Sequence, residues 1–264
     1  MASLGPELIV EIGGFPITNT LITTFLVDAV IVALVYATYR KISTVPAGLQ
    51  SIFEPAIDYL YDLTESIAGL KAKTIFPWFA SFFFFIVIAN LIALLPGFNS
   101  IGFWEVAKHG AEHGAEHGEG AKEATKHLLP LFRAVTSDFN ATLALGTISV
   151  VATHIISIKF NGLFGYFGKF LSKNPINLAI GLLEFLLEGV KIFSLSFRLF
   201  GNIFAGEVVL VTVAGLAAYS AFLAPIPFLL LEVIVALVQA LVFAMLTMVF
   251  MSLLATTSSE GGGH

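Results

Sequence analysis

The sequence contains no cysteine and little charge. Without Cys there is no disulfide scaffold, no thiolate metal site and no thiol nucleophile. Asp, Glu, Lys and Arg make up only 12% of the 264 residues, where a soluble domain carries about 25%. That scarcity excludes an ordinary cytosolic enzyme. A formal net charge of -5 argues against nucleic-acid binding. No GxxxxGK[ST] loop is present, so nucleotide chemistry is not expected on this chain. The first residues, MASLGPELIVEIGG, contain no Lys or Arg and no cleavage signature, and are read as retained. What is abundant is apolar: 57% hydrophobic residues, 26 Phe and a mean hydropathy of +0.92. A disordered chain could not be so apolar. An integral membrane protein remains, with lipid as its solvent.

The apolar runs give the expected fold class: an all-α polytopic membrane protein forming one membrane domain over 1–264. Residues 17–39 are long enough to span, with Asp28 inside and Arg40-Lys41 directly after. Residues 46–70 differ. Glu54, Asp58, Asp62 and Glu65 recur at spacings of three or four, opposite Ile52, Phe53, Ile57, Leu60, Leu63 and Ile67. This pattern predicts an amphipathic interfacial helix, unusually acidic and suited to leaning on a partner subunit. A second span covers 74–95 and a third 131–158. Lys and Arg at 40, 41, 71, 73, 159, 169 and 173 then share the cytoplasmic side, leaving the N-terminus outside and the C-terminus cytoplasmic.

Between those spans, 97–130 is expected as an outward polar loop. It contains the repeat HGAEHGAEHGEG with His109, His113 and His117. His at i, i+4 suggests a metal site, but four Gly within 110–120 each disfavour helix by about 1 kcal/mol. A solvated low-complexity loop is therefore expected, with no metal. Two further stretches follow, 175–219 and 225–255, with Ala224-Pro225-Ile226-Pro227 marking the turn, and the tail SSEGGGH ends the chain. As a helix, 175–219 would run about 67 Å at 1.5 Å per residue. A bilayer core is about 30 Å thick, so this helix is expected to be strongly tilted or broken.

The region 174–255 also holds charges that lipid should exclude: Glu184, Glu188, Lys191, Arg198, Glu207 and Glu232, with Gln239. Each charge at mid-membrane costs about 2.5–3.5 kcal/mol. At about 100° per residue, Glu184, Lys191 and Arg198 share one stripe, continued by Asn202. Glu207 falls about half a turn out of phase and about 13 Å further along. Glu188 and Lys191, three apart, are spaced for a salt bridge. Asn90 is the only amide of the second span, and interhelical contact is its plainer role. In an antiparallel hairpin facing residues have a constant index sum. Glu207 with Glu232 gives 439 and Arg198 with Gln239 gives 437, so one register serves both pairs. Two neighbouring carboxylates in low dielectric resist ionising together, so that pair is expected to hold a proton. A proton-sharing pair and a fixed cation at different depths suggest a proton path with an electrostatic barrier.

The run SLSFRLFGNIFAGE, 194–207, closely resembles the signature of the ATP synthase subunit a family, the stator channel subunit of the Fo motor. The likeness extends to ANLIALLPG (89–97), TSDFNATLALG (136–146), NPINL (174–178) and VQALVFAMLT (238–247), in the family's order. It implies a non-catalytic, multi-pass subunit of a bacterial-type inner membrane, with no cofactor. Its implied partners are the c-ring, the peripheral-stalk b subunits, the bilayer and, indirectly, the F1 sector. By the same resemblance Arg198 is the arginine facing the ring carboxylate, Glu207 belongs to the outer half-channel and Gln239 lies beside the arginine. Glu184 corresponds to a carboxylate of the cytoplasmic half-channel and Asn202 to a nearby polar group. Apart from the resemblance, Lys191, Glu188 and Asn90 are candidates for supporting positions. Glu232 stands where some members have His. A self-contained secondary transporter is the competing class, but such proteins show internal repeats, and the Arg-plus-carboxylate segment occurs once. A sodium-coupled version of the same motor is the other alternative.

Overall fold

In a computed structural model of the chain, residues 8–12, 15–40, 42, 48–95, 97–98, 101–106, 126–170, 175–216 and 225–256 are described. The His repeat with His109, His113 and His117, Lys41, Lys173, Asn174, Ala224 and the tail from Thr257 lie outside them. Six long helices carry the fold: α1 (Asn19–Arg40), α2 (Gln50–Ala68), α3 (Ala72–Ala93), α4 (Phe139–Phe170), α5 (Pro175–Leu216) and α6 (Pro225–Thr256). Four stretches among the described residues are long and apolar enough to cross a membrane: Asn19–Arg40, a part of Gln50–Ala93, Phe139–Leu163 and Pro225–Thr256. The chain is an all-α polytopic membrane protein. α5 has 42 residues, about 63 Å of helix, twice the thickness of a bilayer core.

Two short antiparallel hairpins, absent from the sequence reading, sit on this bundle. β1 (Leu8–Ile12) pairs with β2 (Phe15–Thr18), and β3 (Gly102–Val106) pairs with β4 (Lys126–Pro130). The polar connection 97–130 is therefore closed at its root by a five-residue ladder, Gly102↔Pro130 to Val106↔Lys126. The expected span at 131–158 also starts later, at Phe139. Residues 131–138 run as loop and a single 3-10 turn, because Asp138 terminates them: its carboxylate accepts from the Asn140 amide at 2.9 Å, the N-terminal capping role Asp favours.

α2 exposes its whole acidic row, Glu54, Asp58, Asp62 and Glu65, while Leu60, Thr64 and Ala68 are buried. The apolar side is only partly covered: Leu63 and Ile67 pack on the core, whereas Ile52 is exposed. Gly69 separates α2 from α3 by adopting φ +54°, a conformation side chains disfavour.

Small and hydroxyl-bearing residues hold α4, α5 and α6 together. Water-free helix association relies on close packing and a few interhelical hydrogen bonds rather than on hydrophobic burial. Ser149 and Thr247 hydroxyls meet at 2.7 Å, and Ser157 Oγ and Asn161 Nδ2 both donate to the Leu254 carbonyl at 3.0 Å. Ser196 Oγ donates to the Thr142 carbonyl at 3.0 Å. Around these bonds, Ile75, Phe79, Ile86, Ile156, Leu199, Phe243, Met248 and Met251 form the buried core. Gly146 lets α4 press on α5: a Cβ there would lie 2.9 Å from the Ile192 carbonyl oxygen. A Gly146→Val variant should therefore force the helices apart, costing about 1–3 kcal/mol. Thermal unfolding of the detergent-solubilised protein reads this as a lowered midpoint, and an unchanged midpoint would contradict the close packing.

Candidate functional site: a carboxylate cavity and an outward-facing arginine

The α5–α6 pairing brings the buried polar groups to two levels. At one level, Asn202 Nδ2 donates to Gln239 Oε1 at 2.6 Å. Gln239 is buried, and its Nε2 makes no hydrogen bond within the described residues. Arg198 stands one helical turn before Asn202. It is exposed on α5, and no hydrogen bond or ion pair joins it to another described residue. The amide expected beside Arg198 thus bonds Asn202 instead, a shift of about one turn.

At the second level, Glu207 from α5 and Glu232 from α6 line one cavity of about 120 Å³. Ile203, Leu210 and Ala236 form apolar walls. Asn90 of α3 reaches the same cavity. Its Oδ1 accepts from Thr136 Oγ1 at 2.6 Å, which fixes the amide's orientation. Asn90 Nδ2 and one Glu207 carboxylate oxygen are buried without a hydrogen-bond partner among the described residues. A polar, roomy site of this kind suits bound water. Gly206 explains how the helices come so close: its absent Cβ is where the Glu232 carboxylate lies.

Toward the other end of α5, Glu188 is buried and its Oε1 accepts from Lys191 Nζ at 2.6 Å, the i, i+3 pairing. Lys191 Nζ also stands 4.6 Å from the centre of the Phe250 ring, a cation–π contact. Glu184 is half-buried one turn before Glu188. No group of three or more His, Asp or Glu able to hold a metal occurs among the described residues.

Residues 20–252 match the family model for the ATP synthase A chain. The chain belongs to the ATP synthase A chain family. It is also 29% identical over 252 residues to ATP synthase subunit a of Moorella thermoacetica, across 96% of this chain and 97% of that protein. Membership implies a membrane subunit assembled with other subunits of an ATP synthase.

Four residues that the structure adds to this family member's polar sites were not singled out in the sequence. Gly206 and Thr136 act on the cavity, and His154 and Tyr166 stand beside Glu188. Gly206 directly precedes Glu207, and its closeness to Glu232 depends on helix pairing, which no spacing within α5 reveals. Thr136 lies in the TSDFNATLALG segment, but its partner Asn90 is 46 residues away.

Proposed function

We propose that this chain is the proton-translocating stator subunit of an F-type ATP synthase, offering two offset half-channels to a ring of rotor subunits. Protons enter from the outer face through the cleft of Glu207, Glu232 and Asn90. There they neutralise a carboxylate on a rotor helix. A neutral rotor site can face lipid, whereas an ionised one could do so only at high cost. After nearly a full turn it meets the cytoplasmic cleft near Glu184 and Glu188 and gives up its proton. Arg198 stands between the clefts. Its fixed charge repels a direct proton leak and draws the rotor carboxylate into its ionised form, while Gln239 and Asn202 brace the neighbouring turn. The N-terminus faces outward and the C-terminus the cytoplasm, following the Lys and Arg positions. The exposed acidic face of α2 and the bundle's outer surface are left for peripheral-stalk b subunits and lipid. ATP chemistry belongs to the F1 subunits, and this chain breaks no covalent bond.

The observation that carries the reading is the division of polar groups by depth: two carboxylates in one cavity, and an exposed arginine about 13 Å along the same helix. The test is ATP-driven acidification of inverted vesicles that contain the whole synthase. A proton motor acidifies them in sodium-free medium and continues with a sodium ionophore present. Acidification that needs sodium would assign the same machinery to Na+, and acidification by this chain without its rotor would indicate a self-contained transporter.

A further inference from the structure

We propose that His154 exchanges protons with Glu188, and that this pair, with Tyr166 positioning the imidazole, forms the inner end of the cytoplasmic half-channel. The inference rests on the reading of the chain as a proton-conducting stator and names residues within it. Glu188 is almost fully buried, and its two oxygens differ. Oε1 is held by Lys191 at 2.6 Å. Oε2 has no hydrogen bond within the described residues and faces His154 Nε2 at 4.0 Å. A small side-chain movement closes that gap to hydrogen-bond range. The other ring nitrogen, Nδ1, lies 3.0 Å from Tyr166 Oη.

The arrangement reads as a short chain of exchangeable protons with direction. α4 and α5 pack along each other, and Tyr166 follows the break at Gly162, where the backbone leaves helical geometry at φ +70°. Tyr166 therefore lies past the apolar stretch Phe139–Leu163, and His154 lies inside it. Glu188 lies about 6 Å of helix rise deeper than Glu184. Glu188 thus has two connections toward the cytoplasmic end, Glu184 along α5 and His154 along α4. Among the described residues, the charged and titratable groups in contact here are Glu188 and Lys191 on α5 and His154 and Tyr166 on α4, with the Phe250 ring of α6 against Lys191, and Glu184 stands one turn before Glu188.

A structural pairing alone accounts for it less well. A buried ion pair is commonly no more stable than apolar residues of the same volume, and Lys191 already pairs with Glu188 through Oε1 alone. His154 adds a group whose ordinary titration falls near neutral pH. Protonated Glu188 can pass its proton to Nε2, leaving a carboxylate beside Lys191 and an imidazolium. The imidazolium then turns, releases that Nε2 proton to water on the Tyr166 side and keeps its Nδ1 proton, so turning back re-aims a free Nε2 at Glu188. A phenol can donate to or accept from Nδ1, so Tyr166 fits both tautomers. Burial and the nearby Glu188 carboxylate push the Tyr166 hydroxyl above its ordinary value, which keeps it neutral and able to do both.

The test uses the whole synthase in inverted vesicles with His154→Gln. Gln keeps hydrogen-bonding capacity on both sides but cannot carry the proton. ATP-driven acidification should fall about tenfold at normal complex content, less than the roughly hundredfold or more of a sole acid–base group, because Glu184 offers a second connection. The dependence of the rate on cytoplasmic-side pH should change in shape. Tyr166→Phe should give a smaller loss and a smaller change in that profile. Wild-type rate and profile in His154→Gln, alongside an inactive Arg198→Ala control, would overturn the proposal and leave the stator reading standing. An active Arg198→Ala control would count against the stator reading itself. If His154→Gln fails to assemble, Glu188→Gln decides by the same two readouts.

Discussion

Replacing Arg198 with Ala should abolish coupled proton transport. The arginine sits on α5 between Phe197, which is exposed, and Leu199, which is fully buried. Its own side chain is exposed, in an apolar field, with no partner among the described residues. An intramembrane charge costs about 2.5–3.5 kcal/mol, a cost that the proposed rotor carboxylate would offset. In the proposed mechanism, removing the guanidinium removes both the attraction for a rotor carboxylate and the barrier between the clefts. If that interaction is worth about 3 kcal/mol, the rate of coupled transport drops about a hundredfold. The measurement is ATP-driven acidification of inverted vesicles together with passive proton leak after the F1 sector is stripped. Arg198→Lys should retain part of the function, because it keeps the charge but not the planar, five-donor fork. Coupled pumping at the wild-type rate in Arg198→Ala would remove Arg198 from the mechanism.

Much of this was legible because lipid makes polar residues conspicuous. The acidic spacing at Glu54, Asp58, Asp62 and Glu65 was enough to orient α2, and the structure leaves all four exposed. The index sums for α5 and α6 put Glu207 opposite Glu232, and both line the same cavity. That sum is reliable only to about a turn. The observed bond Asn202–Gln239 corresponds to 441, so Gln239 meets the residue one turn past Arg198. The hairpins were not legible for a different reason. β1 and β2 are five and four residues long, and Pro16 interrupts the alternation that marks a strand. The start of α4 carries a signal in the sequence: Ser137-Asp138 ahead of an apolar run is an N-cap pattern, although the apolar residues of 131–135 extend the run before it. His154 had no such signal. A single His on an apolar helix acquires meaning only when Glu188 is brought to it from another helix.

The carboxylate cavity yields the second large effect. Glu207→Gln and Glu232→Gln should each slow proton flux, and the double variant should stop it. Both carboxylates line one cavity and so act as one network rather than as two independent sites. Each single variant leaves one ionisable group in the cavity, still able to accept a proton from the outer side. The double variant leaves none, since Asn90, the remaining polar side chain of the cavity, is an amide. The losses should therefore combine non-additively, as expected for groups in one network. Gly206→Ala separates position from chemistry. Its Cβ would occupy the place of the Glu232 carboxylate, and that carboxylate is the free end of a flexible side chain. The methyl should displace Glu232 rather than unfold the helix pair, so complex content stays normal while flux falls toward that of Glu232→Gln. Adding Gly206→Ala to Glu232→Gln should then cost little more, because the group it displaces has already lost its proton-carrying role. A large additional loss in that combination would mean that Gly206 serves the packing of α5 on α6 independently of the acid. Wild-type flux in the Glu207→Gln, Glu232→Gln double variant would place the outer proton path elsewhere in the molecule.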